Sequence, residues 1–170
     1  MDFLELAKAR YSCRKLTDKD IEPEKIERIL QAAIAAPTAK NVQPYKIWAI
    51  KSADAFAKIK QTTDFTFGAK FALVVGVDKS AAFTRPFDNM NFGHIDGAIV
   101  ATHIWLAVQA EGLGTTWVGW FDAPKLRELF PEMKDFDLIA IFPIGYPAEE
   151  AKPSNRHEDR REISEAVKEL

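Results

Sequence analysis

The sequence predicts a β-sheet covered by helices on both faces, with mixed strand directions allowed, as a single domain over residues 1–170. Apolar periodicity alternates between helical and extended along the chain in the order α-α-β-α-β-α-β-α-β, which calls for packed layers of both types. Two helices precede the first strand, whereas a doubly wound nucleotide fold opens on a strand. Neither GxGxxG nor GxxxxGK[ST] occurs, so no Rossmann or P-loop phosphate site is encoded.

The elements follow in order. "DFLELAKAR" (2–10) repeats apolar residues at Phe3, Leu6 and Ala7, with Asp2 placed to cap the helix. "PEKIERILQAAIAA" (23–36) starts with Pro23 at the first helical position and Glu24 in the first turn. Its Ile26, Ile29, Leu30, Ala33 and Ile34 form one stripe, and Pro37 forbids continuation. "YKIWAIK" (45–51) alternates as a strand does, and "SADAFAKIKQTT" (52–63) reads as a short helix. "KFALVVGV" (70–77), bounded by Gly68 and Asp78, is an apolar run of strand length. A long helix is expected from Asn91 to Glu111, apolar on nearly every side and hence central. "GTTWVGW" (114–120) and "LIAIFPIGYP" (138–147) read as strands, with a helix at "APKLRELF" (123–130) between them. The tail from Ala148 is highly charged, and "RREISEAVKEL" (160–170) reads as a closing helix.

Composition narrows the function classes. A hydrophobic content of 47% over 170 residues fills a sizeable core, and a net charge of −2 gives no electrostatic case for nucleic acid or an anionic membrane. The lone Cys13 excludes an internal disulfide framework and a multi-cysteine metal site, and suits a reducing cytosol. The opening "MDFLELAKAR" carries two acids and no leader pattern, so a cytoplasmic location is expected. The apolar run at 97–110 is too short to span a bilayer and contains His103. His94 and His157 lack an HxxxH or HExxH partner, so no metal site is expected. No GxSxG elbow or Cys-His pattern marks a nucleophile.

Three segments carry binding signals. In "RYSCR" (10–14), Arg10 and Arg14 flank Ser12 where the first helix ends; guanidinium forks and a hydroxyl suit phosphate oxygens. Cations at a helix C-terminus equally complement the macrodipole, and both readings stand at this point. In "EGLGTTWVGW" (111–120), Gly112 and Gly114 read as helix caps, while Gly119 interrupts an apolar strand and allows either a bulge or a close ligand. The tail places Arg156, Arg160 and Arg161 after the last strand, as a solvated face or as ligands returning to the anion of Arg10 and Arg14. "PTAKNVQP" (37–44) keeps Asn41 and Gln43 beside an apolar layer. Binding signals without catalytic side chains point to a cofactor that carries the chemistry. Flavin mononucleotide suits them: a phosphate for the arginines, a pyrimidine edge for the amides and a ring that needs exposed backbone.

The order "RYSCR", "AAPTAKNVQP", an Asp-initiated apolar helix ending in "AEGLGTTWVGWF", then "PIGYP" and an arginine-bearing tail resembles the FMN-dependent nitroreductase family over nearly the whole chain. The resemblance implies an α+β fold, a mixed sheet flanked by helices in an intertwined homodimer, with tail residues 148–170 packing on the partner subunit. It assigns Arg10, Tyr11, Ser12 and Arg14 to the phosphate and ribityl end, with Arg160 as the tail ligand and Arg156 and Arg161 as rivals. Pro37, Thr38, Ala39, Asn41 and Gln43 match a loop that reaches the flavin from the neighbouring subunit. Trp117, Val118 and Gly119 match backbone facing the isoalloxazine near N5. The implied reaction is hydride transfer from NAD(P)H through non-covalent FMN to a small acceptor of nitroaromatic or quinone type. A flavoprotein fed by a protein donor, or a flavin carrier, is the alternative. The family's helical excursion is short here; "AFTRPFDNMNF" (82–92) remains as a candidate cover, with Phe83, Phe87 and Phe92 at an entrance.

Overall fold

A computed structural model describes residues 2–170. Helix α1 (Phe3–Ala9) opens with a reciprocal capping box: Glu5 N donates to Asp2 Oδ1 at 2.8 Å and Asp2 N donates to Glu5 Oε2 at 3.0 Å. Helix α2 (Pro23–Ile34) carries its proline at the first position, as expected. Strand β1 (Tyr45–Ile50), helix α3 (Ala53–Ile59) and strand β2 (Phe71–Val77) follow, then the long helix α4 (Gly93–Ala110). Strand β3 (Gly114–Thr115), helix α5 (Ala123–Leu129) and strand β4 (Asp137–Gly145) complete the expected order.

The sheet order is β1-β2-β4-β3, and every neighbouring pair is antiparallel. The α+β class is as expected, but strand directions within this chain are not mixed. Helix α3 has seven residues, about 10 Å at 1.5 Å per residue, and cannot carry the chain back along a six-residue strand of about 20 Å. The chain therefore re-enters beside its exit, pairing Ile50 with Ala72. Helix α4 is long enough to cross over, and it links β2 to β3, which share a direction because each is antiparallel to β4.

Strand β2 is buried along its whole length, which accounts for its unbroken apolar run. Phe71, Leu73 and Val75 pack with Phe142 under α2 and α4, while Ala72 and Val74 pack with Ile141, Phe56 and Leu126 on the α3–α5 face. Three expectations are corrected. Helix α4 is not enclosed: Val100, Ala101, Ile104 and Val108 are buried, whereas Ile95, Ala98, Ile99 and Thr102 border an open hollow. The strand expected over 114–120 pairs only at Gly114–Thr115, with one further bridge from Val118 to Ile141 in the same register; Pro143, which lies between them on β4, has no N–H to continue the ladder. The closing helix is a single turn, α6 (Ile163–Ala166), with no side-chain cap and no buried residue to hold it.

The segment after α1 is threaded across the end of the sheet. Cys13 N donates to Thr115 O at 2.9 Å, Leu16 N to Phe67 O at 2.9 Å and Thr17 N to Tyr146 O at 2.8 Å. Gly114 is needed for this crossing, not as a cap: a Cβ there would lie 2.8 Å from Cys13 Sγ and 2.9 Å from Leu16 Cδ2. Gly112, at φ +70°, is the residue that ends α4. Gly114→Ala is expected to destabilise the fold by about 1–3 kcal/mol through overpacking. Urea unfolding measures it, and adding Cys13→Ala should recover part of the loss; an unchanged midpoint in Gly114→Ala would refute the close contact.

Candidate functional site

The crossing segment delivers the predicted residues to one place. Arg10, Tyr11, Ser12 and Arg14 line a cavity of about 230 Å³ together with Trp105, Ser154, Arg156, His157 and Arg160. The tail reaches it along its own chain: Ala148 N donates to Lys15 O at 3.0 Å, and the His157 ring is bonded to Lys8 O at 3.0 Å. Among the described residues no carboxylate lines the cavity, so its four arginines have no anionic side chain among them. Burial and the nearby charge of Arg160 both pull the Arg10 pKa below the ordinary arginine value. Its guanidinium carbon stacks 4.2 Å from the Trp105 ring centroid, a cation–π contact that holds it in place despite the neighbouring cation. The Tyr11 hydroxyl is pushed up to about 12, first by burial and then by its hydrogen bond to Cys13 Sγ, so it remains a neutral donor. Cys13 itself is buried, which suits the packing role and not a nucleophile.

Arg14 also borders a second hollow, of about 190 Å³, shared with Trp117, Val118 and Gly119. Val118 is fixed to β4 by a reciprocal pair with Ile141, both bonds 3.0 Å. A Cβ on Gly119 would meet nothing nearer than the Trp117 indole at 3.8 Å, and its φ is not in the left-handed region. The glycine therefore leaves its backbone open to the hollow instead of serving a turn. Phe65, Phe67 and Trp120 complete the wall, with Phe65 and Phe67 stacked at 5.9 Å.

A cavity carrying four arginines, joined through Arg14 to the open backbone at Gly119, suits an elongated ligand with a phosphate at one end and a flat ring at the other. The family model described as "Nitroreductase family" matches residues 7–63 and 55–146. The chain belongs to the nitroreductase family. A nitroreductase family protein of Clostridium difficile 630 is 36% identical to it, with a TM-score of 0.90 over 99% of this chain and 98% of that one. A Desulfovibrio desulfuricans structure, described as "a putative nitroreductase in complex with fmn", is 27% identical at a TM-score of 0.79, covering 98% and 95%. A Methanothermobacter thermautotrophicus protein named "Putative NADH dehydrogenase/NAD(P)H nitroreductase" is 30% identical over 88% of this chain and 79% of its own length.

In this nitroreductase-family chain the loop with Pro37, Thr38, Ala39, Asn41 and Gln43 lines neither cavity. It is nevertheless built with care. Lys40, Asn41 and Gln43 have φ of 51°, 55° and 54°, Gln43 N donates to Thr38 Oγ1 at 3.0 Å, and Gln43 Nε2 donates to Asn41 Oδ1 at 3.2 Å. Both amides remain exposed.

Several residues of the site escape motif reading. Trp105 lies on a helix whose apolar residues surround it, so no sequence signal separates it from core. Ser154 and His157 were hidden in a charged tail. Asp96 lies outside both cavities and holds the loop from behind: it is 1% exposed, accepts from Ala39 N at 2.9 Å through Oδ1 and, among the described residues, has no partner at Oδ2. A buried acid within an apolar helix pattern was its only signal. Asp96→Ala leaves the Ala39 N–H without its acceptor and should lower stability by about 1–3 kcal/mol, read as a lower urea midpoint at unchanged slope. An unchanged midpoint would show that Asp96 does not anchor the loop.

Proposed function

We propose that this chain is an FMN-dependent oxidoreductase that passes reducing equivalents from NAD(P)H to a small organic acceptor of nitroaromatic or quinone type. The observation that carries the reading is the continuity, through Arg14, of a carboxylate-free cation cavity with the open backbone at Gly119. When bound, FMN supplies the hydride chemistry at N5. The protein's part is placement and electrostatics. Arg10, Arg14 and Arg160 neutralise the phosphate, with Ser12 as a neutral donor and Tyr11 lining the cavity beside them. Trp117, Val118 and Gly119 present backbone to the ring, and the aromatic wall of Phe65 and Trp120 excludes water from one side. No side chain in either hollow is required as acid or base.

The working unit is a homodimer of single-domain chains in the cytoplasm. The open side of α4, with Ile95 and Ile99, gives one apolar contact surface. The tail gives another, since Ile163 is 79% and Val167 59% exposed in the isolated chain. In that dimer the Pro37–Gln43 loop of one copy reaches the flavin of the other, which accounts for its exposed amides and for its absence from the hollows of its own chain.

Purified protein should show a flavin absorption spectrum that bleaches on anaerobic addition of NADPH or NADH. A flavin spectrum that persists would transfer the role of donor to a protein, and a colourless protein with no thermal shift on added FMN would overturn the assignment. Arg14→Ala should weaken FMN binding by at least about tenfold, the loss of one charge-assisted contact. Cys13→Ala should leave it unchanged, and equal effects would contradict the site. Truncation after Pro147 removes Arg156, Arg160 and the apolar tail together; it should release both flavin and dimer, and an intact holo-dimer would refute the tail's role.

A further inference from the structure

A third cavity, of about 470 Å³, opens between α2 and α3 at the end of the sheet where β1 stops and β2 begins. It shares no lining residue with the cation cavity or with the hollow that Arg14 borders, although Lys60 also lines a separate cavity that reaches Gly119 and Trp120. Its size falls within the range of small-molecule sites.

The floor is apolar. Phe56, Phe71 and Ile144 present edges from the two core layers, and Ile21 and Ile26 form the α2 side. The mouth is cationic, with Lys19, Lys51, Lys60 and Lys70 against the single acid Asp20. Two of these lysines are already engaged: Lys70 pairs with Asp18 at 3.2 Å, and the Lys19 ammonium lies 4.0 Å from the Tyr146 ring centroid. Lys51 and Lys60 make no ion pair among the described residues, and the Lys60 ammonium stands 5.7 Å from the centroid of the floor residue Phe56.

An apolar floor removes aliphatic or aromatic surface from water, while two uncommitted ammonium groups at its edge attract one anionic group. A neutral apolar molecule would leave the lysines unused, and a polyanion such as a nucleotide triphosphate would leave the floor wet. We propose that this groove binds a small amphipathic monoanion, an apolar body of about ten carbons carrying one carboxylate, independently of the flavin site.

Decanoate is the probe, titrated by calorimetry into FMN-loaded protein, with decanol as the uncharged control. Decanoate should bind at one site per chain and more tightly than decanol. The exposed double variant Lys51→Glu/Lys60→Glu should weaken decanoate by about two- to thirtyfold, the sum expected for two surface ion contacts, while decanol is unaffected. Ala57→Trp, which puts an indole into the mouth from an exposed position of α3, should block both without lowering the thermal midpoint. Equal binding of decanoate and decanol, or decanoate binding that survives both variants, overturns the proposal. So does a Lys51→Glu/Lys60→Glu protein whose dimer dissociates on size exclusion, because that result assigns the groove to the second copy. Loss of FMN from the cation cavity would defeat the oxidoreductase reading while leaving decanoate binding intact, so the two fail separately.

Discussion

The structure depends on how closely one side chain, Leu16, can be approached. Three glycines surround it: a Cβ on Gly68 would lie 2.5 Å from Leu16 O, one on Gly114 2.9 Å from Leu16 Cδ2, and one on Gly145 3.3 Å from Leu16 Cβ. They come from the strand preceding turn, from β3 and from β4, so missing side chains on three elements create one slot. The Arg10–Thr17 segment lies in that slot and joins the sheet end by backbone bonds from Cys13, Leu16 and Thr17. Every arginine at its N-terminal end inherits its position from this crossing. A wider slot would let the segment slide, and bidentate recognition tolerates little sliding.

Gathering cations around one cavity opposes folding, and the protein offsets it locally. Arg10 gains the face of Trp105, Arg160 Nη1 donates to Asp159 O at 2.7 Å, and Arg14 Nη1 reaches Ser12 O at 3.4 Å. These are carbonyl and ring contacts. Carboxylates would stabilise the cations more but would also occupy the forks that an anion needs. Other charged groups of the chain take direct partners: Asp137 is held below the usual carboxylate range by Lys79 and His94, and Arg28 takes Glu111 in two bonds of 2.8 and 2.6 Å. The contrast between these satisfied surface pairs and the unneutralised cavity is what separates a binding site from an ordinary charged face.

Elements were legible because their signals are local. Pro23, Asp2 at the first N-cap and the apolar run of β2 each dictate structure within a few residues, and each element lies where its pattern placed it. Strand direction was not legible, because it depends on whether α3 is long enough to cross over, a comparison of lengths in space. The tail's charged pattern allows a helix, but only packing stabilises one, and only four residues adopt it. Within the site, "RYSCR" and Gly119 were legible as residue types. The two glycines of "GLG" were read alike, although Gly112 serves φ and Gly114 serves distance. Trp105 and Asp96 were illegible in their roles because both act through contacts made across the fold.

The loop from Pro37 to Pro44 shows how such a contact shapes a binding element. Three residues with side chains sit in the left-handed region, each at a cost of about 1–2 kcal/mol. Asn tolerates this best, and Lys40 gains a position 4.4 Å from the Phe83 ring centroid. The remaining constraint is the buried Asp96 carboxylate, which takes the Ala39 N–H at the positive end of the α4 dipole. Strain of this kind persists only where surrounding contacts over-determine it. Here the over-determination leaves Asn41 and Gln43 facing outward from a rigid loop, bonded to each other and to nothing in the core. Amides ordered in advance lose little entropy when a partner's ligand meets them. In the dimer proposed above, this loop would be a rigid donor of side chains on one surface and the arginine cavity an acceptor of anions on another, and within a single copy the loop lines neither hollow.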